Sequence, residues 1–316
     1  MAVRTHNKRR SVRSFMFEKY IRLLGVKKMF SSLENTRKFV KREASENTRP
    51  YEIGKITVTS DIKEQRFEGM QVFTINDRNS AAQKVILYIH GGAWTKQPLP
   101  FHWRFMDKLA RTLDAKIIAP LYPKVPHYSY KDAYQKLSNL YKDILGTIKG
   151  PEQLTLMGDS SGGNISLALA QLLKQKQLPQ PKDIILLSAA ADLVFDNPLI
   201  PEYEQVDPML SSGGIGVIIN SWAGDQQLTA PIISPINSDF RGLARITHFV
   251  GTHEGLYPDA IKLDEKLTSQ GVAIETFVYP KMNHVFVIMP LPEAADALQK
   301  IAEIIGRKSD SRAADS

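Results

Sequence analysis

From Lys55 onward, short apolar or β-branched runs alternate with stretches of helical periodicity, and this rhythm restricts the fold more than any other feature. Val85–Ile89 reads VILYI, apolar throughout, which suits a central strand buried on both faces. Ile117–Leu121, Leu154–Met157, Ile184–Leu187, Thr247–Val250 and Ile274–Tyr279 are of the same kind, and Ile56–Thr59 with Gln71–Ile75 read as an opening hairpin. Helical patterns fall between them near Phe105–Leu113, Tyr130–Ile148, Asn164–Lys176, Pro258–Ser269 and Glu293–Ile304. About eight strands alternating with helices predict an α/β chain around a mostly parallel sheet. One stretch breaks the rhythm. Between Asp192 and about Gly242 a Pro-, Gly- and Ser-rich segment, with a helical piece near Ile215–Trp222, replaces a connection that normally takes two to six residues. An insertion on the C-terminal side of a strand reads as a cap over a site.

The sequence LTLMGDSSGGN sets Gly158-Asp159-Ser160-Ser161-Gly162 after an apolar strand and before a helix. Gly-x-Ser-x-Gly in that context is a nucleophile elbow: the turn is so sharp that the serine takes strained backbone angles and its neighbours must be glycine. Ser161 fails the same pattern, because position 159 is Asp. A second motif, YIHGGAW, ends the VILYI strand with His90-Gly91-Gly92-Ala93-Trp94. Glycines there let backbone N–H groups turn toward a developing oxyanion, with one more donor from Ser161, the residue after the nucleophile.

Together the motifs resemble the hormone-sensitive-lipase-like family of α/β-hydrolase esterases, which carries His-Gly-Gly-Gly/Ala on one loop and Gly-Asp-Ser-Ala-Gly-Gly-Asn at the elbow. Further matches are SAAADL after the sixth strand, DPML at Asp207–Leu210 and APIISPI at Ala230–Ile236, so the likeness runs from about Lys55 to Ile305. The resemblance implies an α/β-hydrolase fold and a serine carboxylesterase acting on short to medium acyl esters. It also implies a helical cap built from residues near 15–45 and the 192–242 insertion, within a hydrolase domain spanning 51–306.

The remaining triad members should follow the serine as an acid and then a histidine, each on a loop after a strand. Of seven histidines only His284, in FVYPKMNHVF, follows the last strand and precedes the last helix. His90 belongs to the oxyanion motif and braces it; His102 and His127 are candidates for the mouth, and His6, His248 and His253 have no assigned role. In FVGTHEGLYPDA the family pattern of Asp followed two residues later by Leu maps the acid to Glu254, a departure from Asp, with Asp259 as the alternative. Trp94, Phe101, Trp103, Trp222 and Phe286 are candidate pocket walls. Neither a metal nor a cofactor is required by this chemistry.

The net charge of +8 belongs to one segment: the first fifty residues hold 14 Lys/Arg against 4 Asp/Glu. The body carries 27 basic and 29 acidic residues, which argues against a nucleic-acid partner. Charges from Arg13 to Lys28 interrupt any export-signal core, and no run reaches a membrane span. Phe15–Phe30 is expected as a basic helix packing its apolar side on the body, with peripheral contact to an anionic membrane through residues 1–50 as the other reading. The chain has no cysteine, so thiol catalysis and disulfides are excluded, and a cytoplasmic, at most membrane-peripheral, setting is expected. Residues 307–316, GRKSDSRAADS with the glycine before them, read as a disordered tail. An amide or peptide hydrolase of the same fold and an inactive ligand-binding relative are the competing readings.

Overall fold

The computed structural model describes residues 3–307. In chain order the elements are β1 (Val3–Thr5), α1 (Val12–Leu24), α2 (Leu33–Asn47), β2 (Ile62–Phe67), β3 (Met70–Ile75), β4 (Val85–Ile89), α3 (Pro100–Leu113), β5 (Lys116–Pro120) and α4 (Tyr130–Thr147). There follow β6 (Leu154–Asp159), α5 (Ser161–Gln175), β7 (Asp183–Leu187), α6 (Ile200–Val206), α7 (Gly216–Ala223), β8 (Arg245–His253), α8 (Tyr257–Ser269), β9 (Ile274–Asn283) and α9 (Pro292–Gly306). The strands form one sheet in the order β1-β9-β8-β7-β6-β4-β5-β3-β2, antiparallel only at β2–β3 and β3–β5.

The VILYI strand explains the layering. Val85, Leu87 and Ile89 point into one apolar core with α4, α5 and α8, whereas Ile86 and Tyr88 point into a second core with α3 and α9. Both faces are covered, so the strand has no polar side to alternate with.

Expectations are corrected in two segments. Residues 56–59 are not a strand: Asp107 of α3 accepts the N–H groups of Thr59 (3.2 Å) and Ser60 (2.8 Å), and pairing starts only at Ile62. The hairpin partner of β3 is β2, closed by Glu68 and Gly69, both at positive φ (47° and 78°), the two-residue turn that matches strand twist. Ahead of the expected helix, Val3–Thr5 pairs in parallel with Thr276–Val278, a strand absent from the sequence reading. The expected helix Phe15–Phe30 stops at Gly25, which takes the left-handed conformation (φ 65°), and Val26–Phe30 continues as a 3-10 turn.

Helix α1 also faces the other way. Its buried residues are Ser14, Glu18 and Ile21, while Val12, Phe15, Met16, Tyr20, Leu23 and Leu24 are exposed. Polar bonds hold it: Glu293 at the start of α9 accepts the Ser11 N–H (2.7 Å), the Ser11 hydroxyl (3.1 Å) and the Ser14 hydroxyl. Glu18 pairs with Arg10 (2.6 Å), Arg22 (2.9 Å) and His253 (2.9 Å). The 192–242 insertion contributes α6 and α7, and it meets the N-terminal segment backbone to backbone. A Cβ on Gly213 would stand 2.6 Å from the Ser31 carbonyl oxygen, and one on Gly214 2.3 Å from that of Ser32. Of the expected tail, 308–316 lie outside the described residues; Arg307 reaches Glu275 at 3.2 Å.

Candidate active site

Strand β6 delivers Ser160 to the end of the sheet at φ 51° and ψ −119°, a conformation that side-chain-bearing residues rarely adopt. The glycines around it are fixed by contact. A Cβ on Gly162 would lie 2.0 Å from the Ile89 carbonyl oxygen, and one on Gly158 2.3 Å from that of Gly162. Helix α5 can therefore leave the turn only with bare backbone at these positions.

Ser160 Oγ lies 2.9 Å from His284 Nε2, and His284 Nδ1 lies 2.6 Å from Glu254 Oε2. With Nδ1–H directed at the carboxylate, Nε2 is left to accept the serine proton. Glu254 is fully buried, and its second oxygen accepts the Ser188 hydroxyl (2.8 Å) and the Gly251 N–H (2.7 Å). Burial alone would lower the His284 pKa, but its bond to Glu254 and the charges of Glu254, Asp207 and Asp159 raise it above the ordinary imidazole value. Asp259, the alternative acid, sits in α8, accepts the Asn197 amide (2.8 Å) and does not touch His284. Burial chiefly pushes its carboxyl up to about 6.

Two groups around this relay escape the motif reading. Ser188, at the head of SAAADL, donates to Glu254 and accepts the N–H of Val285 (3.1 Å), joining the acid to the histidine loop. Asp207, the first residue of DPML, accepts the N–H groups of Met209 (2.6 Å), Leu210 (2.9 Å) and Gly255 (2.8 Å), tying the insertion to the residue after Glu254.

The four expected oxyanion donors divide. The Gly91 N–H is spent on Asp159 Oδ1 (2.9 Å), and a Cβ on Gly91 would meet Asp159 Oδ2 at 2.3 Å. Gly91 is therefore a close-packing position, not a donor to the site. Gly92 (φ 128°) and Ala93 (φ 52°) make the turn, and their N–H groups and that of Ser161 have no acceptor among the described residues. Asp159 itself is a buried brace that also accepts from Tyr88 (2.7 Å) and meets His102 Nε2 (3.2 Å). Burial raises its pKa, but these partners, His102 first, more than offset that and hold it below the ordinary value. The His90 ring is buried, stacks on Tyr122 (4.8 Å) and donates from Nδ1 to the Gly91 carbonyl (2.7 Å). Burial keeps it well below the usual imidazole pKa.

A family profile described as alpha/beta hydrolase fold matches residues 86–288. The chain belongs to the α/β-hydrolase fold family. Among its relatives, an esterase of Acinetobacter venetianus is 31% identical over 248 residues, covering 78% of this chain and 82% of that one. Esterase LipU of Mycobacterium tuberculosis is 28% identical, covering 71% and 77%. A crystal structure from Staphylococcus aureus, provisionally named an esterase, superposes with a TM-score of 0.85 at 32% identity, covering 90% of this chain and 96% of that one.

In this α/β-hydrolase a cavity of about 50 Å³ opens on Ser160, with Ala93 and Trp94 on one side and Phe30, Phe195, Ile200 and Leu210 on the other. The far wall thus comes from the N-terminal segment and the insertion, where of these residues only Leu210, in DPML, lies in a motif. Trp94 is the one proposed aromatic wall that lies there. Trp222 is fully buried behind it, stacked at 5.9 Å. Phe286 packs in the second core on Tyr279 (4.7 Å), and Trp103 stacks on Tyr51 and donates to its hydroxyl (2.6 Å). Phe101 meets Phe17 edge-on at 6.4 Å, away from the serine. His127 bonds the Ala44 carbonyl (2.9 Å) and, like His102, stands off the mouth.

Proposed function

We propose that this carboxylic ester hydrolase works through Ser160 as nucleophile, His284 as general base and acid, and Glu254 as the residue that orients and stabilises the imidazolium. The observation that carries the proposal is the unbroken relay of 2.9 Å and 2.6 Å contacts from the strained serine to a buried carboxylate. His284 takes the Ser160 proton as Oγ attacks the ester carbonyl. The tetrahedral oxyanion is held by the N–H groups of Gly92, Ala93 and Ser161, and the alkoxide leaves with the proton from His284. Water then repeats the sequence on the acyl-enzyme, releasing the acid and restoring Ser160.

The N-terminal segment and the 192–242 insertion form the cap of this reading, since Phe30, from the turn between α1 and α2, and residues of the insertion line the cavity over the serine. The space over the serine is small, about 50 Å³, which favours acyl groups at the short end of the range. The test is a p-nitrophenyl ester series from acetate to hexanoate, with fluorophosphonate labelling. Turnover and labelling should both vanish in Ser160→Ala; a fully active variant would overturn the assignment. An amide panel run beside it separates the peptidase reading.

Peripheral attachment to an anionic bilayer through the basic segment is part of the proposal, on the observation that α1 turns six apolar side chains outward. Arg9, Arg13, Lys19 and Lys28 are exposed in the same segment, the pairing of apolar insertion and cationic attraction that holds amphipathic helices at interfaces. No described helix is long and apolar enough to cross a membrane.

A further inference from the structure

Behind the oxyanion loop, away from the serine, lies a cavity of about 240 Å³ between the end of α2, the β2–β3 hairpin and the loop after β5. Its lining includes Arg49, Arg66, Lys124, Lys136 and His127, and no Asp or Glu. Lys124 is the unusual member. Only 4% of it is exposed, and its ammonium donates one hydrogen bond, to the Tyr122 carbonyl at 2.9 Å, from a group with three N–H donors. The rim cations are uncommitted to carboxylates as well: Arg66 donates to the Gly69 carbonyl (3.1 Å) and Lys136 to that of Glu68 (2.7 Å), whose own carboxylate takes Asn139. Arg49 makes no ion pair among the described residues.

A lysine is almost never fully buried unless paired, because an ammonium taken out of water is costly without a compensating charge. Here the ammonium lies over the Tyr122 ring at 4.8 Å, and the pocket that it lines holds further cations at its rim and no carboxylate. We propose that this cavity is a binding site for a small oxyanion, a phosphate or carboxylate group, seated on the Lys124 ammonium with Arg49 and Lys136 at its mouth. Nothing in the hydrolytic cycle uses it, so it is a second site. It adjoins the catalytic machinery all the same, since Tyr122 stacks on His90 and donates to the His90 carbonyl at 3.1 Å. Burial lowers the Lys124 pKa to about 7; an anion would favour the charged form.

The test is titration of the full chain with inorganic phosphate and, separately, citrate, by calorimetry and thermal unfolding at constant ionic strength set with chloride. Saturable binding that raises Tm is expected. Lys124→Met should weaken it at least about tenfold, the loss of one charge-assisted bond, and Arg49→Gln by a few-fold, with p-nitrophenyl acetate turnover unchanged in Arg49→Gln. Should Lys124→Met fail to fold, Arg49→Gln and Lys136→Gln carry the test. Binding of phosphatidylglycerol vesicles by Lys124→Met separates the anion's sources: reduced binding assigns the pocket to a lipid headgroup, undiminished binding to free anions. No saturable effect beyond chloride, or equal phosphate affinity in all variants, would overturn the site.

Discussion

Ser160 sits in backbone space that costs of order 1–3 kcal/mol for a residue with a side chain, and the surrounding turn over-determines it. Ser160→Gly should therefore raise Tm while abolishing turnover, which thermal unfolding and the ester assay measure on one sample. The relay yields a second expectation. In the proposed relay turnover needs neutral His284, whose pKa is raised, so the acid limb of kcat/KM should lie above 6.5. Glu254→Gln removes the largest raising influence; the limb should move to lower pH as the rate falls about 10³–10⁴-fold, by analogy with triads that lose their acid. An unmoved limb would mean that Glu254 does not face the histidine in solution. At this scale the sequence was legible where chemistry imposes spacing: Ser160, His284 and Glu254 stand together because elbow, acid loop and histidine loop all follow parallel strands. Gly91 was not, because a glycine that donates and a glycine that yields room to Asp159 look alike in a string of letters.

Among the elements, α1 shows why hydrophobic pattern alone misassigns a face. Its inward stripe, Ser14, Glu18 and Ile21, is mostly polar, and what holds it are partners far along the chain, with Ser11 and Glu293 separated by 282 positions. No local signal reports that. The strands and body helices were readable because both-face burial writes continuous apolar runs; the 192–242 insertion was readable as an interruption carrying the DPML and APIISPI matches. Glu18 provides the test. Burial would raise its pKa, but bonds to His253, Arg22 and Arg10 outweigh that and lower it to about 2. A depressed carboxyl contributes stability above its ordinary value of 4.5, lost as pH falls toward 2. Glu18→Gln should cost roughly 2 kcal/mol at pH 7, and the gap from the parent should narrow below pH 4.5 and close only near pH 2, as read by thermal unfolding across that range.

The whole molecule joins a near-neutral catalytic body to a strongly basic edge. Sedimentation with vesicles should show binding to phosphatidylglycerol-containing but not pure phosphatidylcholine bilayers, weakened by added salt. Met16→Asp with Leu23→Asp should reduce it several-fold without loss of p-nitrophenyl acetate hydrolysis, since both side chains are exposed (60% and 84%). Equal sedimentation of parent and variant would end the membrane proposal. The clamp between Ser11 and Glu293 has a further consequence, for the order in which the chain is made. Helix α1 leaves the ribosome early, yet its anchor on α9 does not exist until synthesis has passed Glu293, and contacts of such separation form late. For most of translation the basic, apolar helix is thus an untethered arm, and its docking marks the moment when both ends of the hydrolase have met.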